Sequence, residues 1–423
     1  MIRRLNIMDM KQGLKILVLT DFFFPDAPGG ANKMAFFTSR GLVERGHHVS
    51  LITRRTGPES PDHENIEGIA VYRYDLPRKT FYSFNSIARP QIRKILNGIE
   101  KGDSRPLDLI IMHQPMIAIE GITHPFFRQT PWIYNFHSPW GEEFMISQSA
   151  KWLRHIHPII LLKKKIRDWI EGKVLRRCQK IIVLSQFMKK RLEKIHGLSQ
   201  KSRIIPGGVN TQIFRPPEDQ HSLRRRLGLP IDETVLFTVR NLRRRMGLIN
   251  LIRAMAVLGD MGERIHLVIA GQGELEGKLK DYAKKSGIQE RITFTGYLSE
   301  DDLPKFYQAA DLFILPTEYL EGFGMVTLEA IASGDPVIAT PVGATPEILK
   351  QIGREWLCSN SSSQALAAKM RERLTWMMQN PEGYKRMRGL CRDLAVHQYA
   401  WPRIIDEWED ACKDVIQLWK DTV

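Results

Sequence analysis

Ten short apolar runs recur along the chain, at residues 15–20, 69–74, 109–112, 132–136, 181–184, 234–239, 265–270, 292–298, 310–316 and 336–339. Their lengths, and the glycine or polar residues that close them, predict buried β-strands. Helical spacing follows at 34–45 and 325–333, and Ser185 stands where it can cap a helix opening at Gln186. A strand, a glycine turn and a helix, repeated four or more times, predict a doubly wound α/β architecture. Residues 75–107 give no clear helix limits, and the segment before Ile69 reads as a polar loop.

The turn between the runs at 310–316 and 336–339 organises the chain. It reads Glu321, Gly322, Phe323, Gly324, Met325, Val326, Thr327, Leu328, Glu329. A helix starting at Gly324 leaves unpaired backbone N–H groups at its first turn, where the helix dipole also favours negative charge, so a phosphate can sit there without any side chain. Gly322 and Gly324 remove the Cβ atoms that would block it. Glu321 and Glu329 place two carboxylates about one phosphate-and-sugar length apart, and a carboxylate so placed can accept both vicinal hydroxyls of a ribose. Taken locally, the same turn also suits an ordinary βαβ crossover whose glycines serve packing. Gly271 and Gly273 form a comparable turn expected to approach a nucleotide, and Gly296 with Tyr297 repeats the device.

A chain of 423 residues predicts two domains. Cys178, Cys358, Cys391 and Cys412 are scattered without C-x-x-C spacing, which suggests neither a zinc site nor a disulfide framework and points to a reducing compartment. No apolar run reaches the ~18 residues of a membrane span, and residues 1–15 have too weak an apolar core for a signal peptide, so the expected location is cytoplasmic. Charge is uneven within a net +15. Residues 1–210 hold 34 Lys/Arg against 18 Asp/Glu, whereas 211–423 hold 28 against 29. Within 151–200 the count is 14 against 3, which implies an acidic surface or substrate there.

Glu321 to Glu329 is the E-x7-E signature of retaining glycosyltransferases with the GT-B fold. With the run Pro341, Val342, Gly343, Ala344, Thr345, Pro346, Glu347, the chain resembles glycosyltransferase family 4 over nearly its whole length, most specifically over the 34 residues from Asp311 to Ala344. The resemblance implies two Rossmann-like domains facing each other across a cleft. Residues 1–208 with a returning C-terminal helix at 401–423 would form the acceptor side, and 209–400 the nucleotide-sugar donor domain. It implies a hexosyltransferase that moves a sugar from a UDP- or GDP-sugar to an acceptor hydroxyl with retention, in polysaccharide or glycolipid synthesis.

By the same resemblance, Gly29 and Gly30 approach the donor diphosphate and sugar, and Gly296 with Tyr297 reads the base. Phe323, Gly324, Met325 and Val326 line the donor, Glu329 binds ribose, Glu321 binds the donor sugar, and His137 holds the reacting centre. No chemistry falls to His47 or His48. Residues 240–247 depart from the family pattern: without a gap, its arginine falls on Asn241 and its lysine on Met246. The charges are displaced to Arg240 and Arg245, which are expected to grip the leaving diphosphate. Gly207 and Asn210 replace the usual hinge Asn and Asp, and should alter hinge contacts more than chemistry. No D-x-D motif is present, no cofactor is expected, and arginines with helix dipoles should take the place of a metal.

Glu142 and Glu143 suit acceptor contacts or a solvated loop equally. In residues 151–180, Ile159, Leu162, Ile166, Trp169 and Ile170 recur at helical spacing among Lys163, Lys164, Lys165 and Arg167. Such a helix can lie on an anionic membrane, making the protein peripheral on its inner face, or its stripe can be core. A nucleotide-sugar epimerase of similar fold and a catalytically silent membrane-bound relative are alternatives. A nucleic-acid binder is disfavoured, because no stacked aromatic motif or recognition helix accompanies the charge.

Overall fold

The computed structural model describes residues 13–27, 29–77, 83–102, 105–123, 125–152, 158–258 and 264–422. The expectation about a leader at 1–15 falls mostly outside them, as do residues 153–157 of the basic stretch. The chain divides into two compact units, residues 1–206 with Pro402–Val423, and Gly207–Trp401.

The first unit is built on an eight-stranded sheet. Its strands are β1 (Lys15–Leu19), β2 (His48–Arg54), β3 (His63–Ile66), β4 (Ile69–Tyr74), β5 (Leu109–Met112), β6 (Trp132–Phe136), β7 (Lys180–Val183) and β8 (Ser202–Ile204). Their order is β3-β4-β2-β1-β5-β6-β7-β8. Every pair is parallel except β3 with β4. Strand β3 lies where the sequence suggested only a polar loop. It is an edge strand with no fully buried residue, so it carries no core pattern. Its hairpin turns through Glu67 and Gly68, both at positive φ (48° and 85°), the backbone that lets a two-residue turn match strand twist.

Chain order reverses between β1 and β5, and open α/β sheets bind ligands at the carboxyl ends beside such a point. There Gln114 Oε1 accepts from Thr20 Oγ1 at 2.7 Å and from the Asp21 N–H. Helix Gly30–Glu44 opens four residues earlier than periodicity suggested, with Gly29 as its N-cap at φ 141°. The final helix, Trp401–Thr422, buries Ile404, Ile405, Trp408, Val415 and Ile416. Ile405 packs where a side chain on Gly41 would stand. His47 is buried and accepts from the Leu14 N–H at 2.9 Å, a packing role.

The second unit holds a five-stranded parallel sheet of β9 (Thr234–Val239), β10 (Ile265–Ala270), β11 (Ile292–Gly296), β12 (Leu312–Leu315) and β13 (Val337–Ala339), in the order β11-β10-β9-β12-β13. Leu236, Leu267, Ile269, Leu312, Ile314 and Ile338 pack with Leu251, Ile252 and Met255 of the neighbouring helix. Here the order reverses between β9 and β12. Both units are therefore doubly wound, as the repeated strand and turn pattern indicated. All four cysteines are buried and unpaired.

Candidate active site

On the second unit, the carboxyl ends of β9 and β12 bring together residues 75 to 81 positions apart. Arg240 leaves β9 and turns its Nη2 onto three acceptors: Glu321 Oε2 at 2.5 Å, Thr317 Oγ1 at 3.0 Å and Met246 Sδ at 3.0 Å. Thr317 Oγ1 also donates to Glu321 Oε2 at 3.1 Å. Arg240 and Glu321 are both buried, at 8% and 9% exposure, so this is a desolvated ion pair held by a hydroxyl. Arg240 Nε is also buried and has no hydrogen-bond partner among the described residues. Arg245, half-buried, donates from Nη1 to the Leu320 carbonyl at 2.8 Å, one residue from Glu321.

Two glycines set this geometry. Gly271, at φ 117°, lies so close to the Arg240 carbonyl that a Cβ would collide with it, and the Arg240 N–H donates to the Ala270 carbonyl at 3.1 Å. Gly343, at φ 65°, stands likewise against the Glu321 carbonyl, which accepts from the Ala344 N–H at 2.9 Å. Gly273 packs against the backbone of Leu242. The turn expected to approach a nucleotide thus spends the bareness of both Gly271 and Gly273 on the loop that carries Arg240.

Helix Met325–Ala332 starts on Gly324, its N-cap at φ 90°, so the first-turn N–H groups of Met325 and Val326 have no acceptor within the helix. Phe323 is buried against Tyr399, with ring centroids 6.2 Å apart. Gly207 lets Phe323 and Met325 approach, since a Cβ there would press on both. The Gly207 departure therefore touches the Gly324 turn itself. Gly296 is at φ 70°, and Tyr297 is exposed.

Glu329 is buried and accepts from the Tyr307 hydroxyl at 2.9 Å. Burial and then the Glu329 charge raise the Tyr307 phenol well above its usual range, so it is a permanent donor. Phe237, Phe313 and Phe214 pack round its ring. Sequence reasoning missed Tyr307, which lies on another helix 22 residues before its partner.

On the first unit, Gly29 and Gly30 open their helix as described. His137 follows β6 and meets His113, which follows β5: His113 Nδ1 lies 3.1 Å from His137 Nε2, with the rings 22° from parallel. Burial pushes His137 down to about 4 and His113 well below its ordinary value, with the neighbouring ring adding to the shift at His113. His137 as a whole keeps partial exposure, but its Nδ1 is buried and has no partner among the described residues. Glu142 lies in helix Trp140–Trp152, paired with Arg191, and not in a solvated loop.

Helix Pro158–Arg177 buries Glu171, Gly172, Val174 and Leu175. The opposite stripe is not core: Ile159, Leu162, Ile166 and Trp169 are 47–57% exposed. Glu171 ties this helix to the His137 loop by accepting from the Trp140 N–H at 3.2 Å, and its other partner is His196. Among the described residues no helix is long and apolar enough to cross a membrane.

Comparison with known proteins matches residues 28–213 to the family model for Glycosyltransferase Family 4, and residues 219–388 to that for Glycosyl transferases group 1. Mannosylfructose-phosphate synthase of Agrobacterium fabrum is 28% identical over 406 residues, covering 92% of this chain and 86% of that protein. An uncharacterized glycosyltransferase of Methanocaldococcus jannaschii is 29% identical over 80% of this chain and 83% of its own length. Among solved structures, sucrose-phosphate synthase from Thermosynechococcus elongatus superposes with a TM-score of 0.78 at 22% identity, covering 96% of this chain and 100% of that one. Anabaena HepE in complex with UDP-glucose gives 0.73 at 18% identity, over 95% and 100%. These relatives lend nothing to the epimerase alternative. The chain belongs to glycosyltransferase family 4 and is a transferase of the GT-B fold.

Proposed function

We propose that this glycosyltransferase takes a hexose from a nucleoside-diphosphate sugar, with UDP or GDP as the leaving group, and delivers it to an acceptor hydroxyl with retention. The observation that carries this reading is the buried Arg240–Thr317–Glu321 cluster beside a helix start whose first N–H groups have no acceptor within the helix. Bond cleavage loads negative charge onto the diphosphate, and a fixed cation and aligned N–H groups in a water-poor site stabilise it without reorganising. Arg240 offers its guanidinium charge, Arg245 a second charge, and Gly324, Met325 and Val326 the helix terminus. Glu321 faces the donor sugar, Glu329, oriented by Tyr307, takes the ribose hydroxyls, and Tyr297 lies beside the base. The neutral His137 contacts the sugar at the reacting centre, with Gly29 and Gly30 allowing the diphosphate close. These charges replace a metal ion, so the reading includes metal independence.

Structures of HepE hold UDP or UDP-glucose, which supports a nucleotide-sugar donor here. The exposed stripe Ile159, Leu162, Ile166 and Trp169, with Lys163 and Lys165 beside it, supports peripheral docking on an anionic, cytoplasm-facing membrane, and hence a glycolipid or lipid-linked polysaccharide acceptor. A basic groove of about 690 Å³ lined by Arg89, Arg93, Lys94 and Lys101 adds positive charge to the same unit.

Turnover of UDP- and GDP-hexoses with EDTA present, and NMR of the product's anomeric configuration, test the proposal. Retained configuration and EDTA-resistant turnover are expected. Inverted product, or activity abolished by EDTA and restored by a divalent ion, would overturn the corresponding part. Co-sedimentation with phosphatidylglycerol vesicles tests docking, and Trp169→Asp should reduce it.

A further inference from the structure

We infer that His113 is a positioning residue that holds His137 in one tautomer, leaving Nδ1 of His137 as a nitrogen of set donor or acceptor character for substrate. The inference rests on the reading that His137 serves the reacting centre.

Adjacent parallel strands create the pair. β5 and β6 run in register with Met112 opposite Tyr134, so the next positions outward bring His113 level with Asn135. His137 lies two residues beyond Asn135, just past the end of β6 at Phe136, where continued alternation keeps it on the same face. His113 is 2% exposed, and its backbone N–H is fixed to the Leu19 carbonyl at 2.9 Å. Its ring therefore has little freedom, and His137 meets a rigid neighbour.

The contact constrains protons as well as position. Both rings are neutral near pH 7, since burial opposes their charged forms. A neutral imidazole carries one N–H, so an Nδ1 to Nε2 separation of 3.1 Å needs one ring to donate and the other to accept. Whichever ring donates, His137 Nδ1 takes the role opposite to its Nε2. That Nδ1 is buried without a partner among the described residues, a costly state for a polar atom. A substrate hydroxyl placed there recovers the cost, and only the matched tautomer accepts it productively.

The test combines 15N-histidine NMR with two substitutions. In the wild type, the His137 ring nitrogens should give one pyrrole-like and one pyridine-like signal, with no titration near pH 6.5. His113→Phe keeps a packed ring but no nitrogen, so the two signals should move toward an average. kcat should fall on the order of 100-fold with donor KM little changed, as expected for a misplaced group. His113→Asn returns an amide near the lost Nδ1 and should recover much of both.

Wild-type signals that already average, or that titrate near 6.5, would overturn the inference without any variant. Equal losses in the Phe and Asn proteins with unchanged His137 signals would show that His113 only packs. Should the Phe protein fail to fold, the wild-type spectrum and the Asn protein decide. Absence of turnover with every donor would count against the transferase role of this site, while the NMR result still decides the tautomer.

Discussion

Glu321→Gln removes the negative member of a buried pair while keeping its shape. Arg240 retains Thr317 and Met246 but loses the counter-charge now 2.5 Å away. Removing one partner of a buried ion pair costs ~3–5 kcal/mol, because the other charge is left desolvated. Glutamine still offers an acceptor oxygen, so the lower end, ~3 kcal/mol, is expected. For a domain of about 150–250 residues each kcal/mol is worth ~2–4 °C, so Tm should drop by roughly 6–12 °C. A nucleoside diphosphate supplies the missing negative charge, and Glu321 no longer competes for Arg240. The variant should therefore bind UDP, GDP or ADP at least as well as the wild type, while turnover collapses with the lost sugar contact. Arg240→Gln should lose both nucleotide binding and turnover. Differential scanning fluorimetry with and without nucleotide, alongside a turnover assay, reads all of this. If Glu321→Gln lost nucleotide stabilisation as fully as Arg240→Gln, the assignment of Arg240 to the diphosphate would be refuted.

Tyr307→Phe deletes one buried hydrogen bond to a carboxylate, which should cost ~1.5–3 kcal/mol in chemical denaturation. It should also weaken nucleotide binding, because Glu329 loses one of the contacts that orient it. His137 has its pKa lowered from 6.5 to about 4, so the folded state prefers the neutral ring. Its contribution is complete above pH 6.5, declines as pH falls through that range, and is gone below about 4. At ~1.4 kcal/mol per unit the bound is about 3.5 kcal/mol, reduced by the partial exposure of the residue. Unfolding free energies at pH 7 and pH 4 should differ less in His137→Asn than in the wild type.

Strands buried on both faces were legible because apolar runs ended by glycine admit few other readings, and the E-x7-E turn was legible because its chemistry is contiguous. Edge strand β3 was not, since one open edge and no buried residue leave no pattern to read. The fate of the displaced arginines was also hidden. Sequence placed Arg240 one position from the family pattern, but only the packing of Gly271 against its carbonyl and the recruitment of Met246 show how its guanidinium reaches Glu321. Tyr307 and His113 meet their partners on other elements, which spacing along the chain cannot report. The stripe at Ile159, Leu162, Ile166 and Trp169 had two readings with one periodicity, and burial removes only the core reading: the stripe is exposed.

Isothermal titration of UDP, GDP and ADP into the wild-type protein and into Glu329→Ala is the most direct test of a donor site on the second unit. One nucleotide should bind the wild type in the micromolar range, ~−8 kcal/mol at 1 μM, and about tenfold or more weakly to the variant, a loss of ~1.4 kcal/mol. Binding of none of the three, or equal binding by both proteins, would contradict a donor site built on Arg240, Glu321 and Glu329.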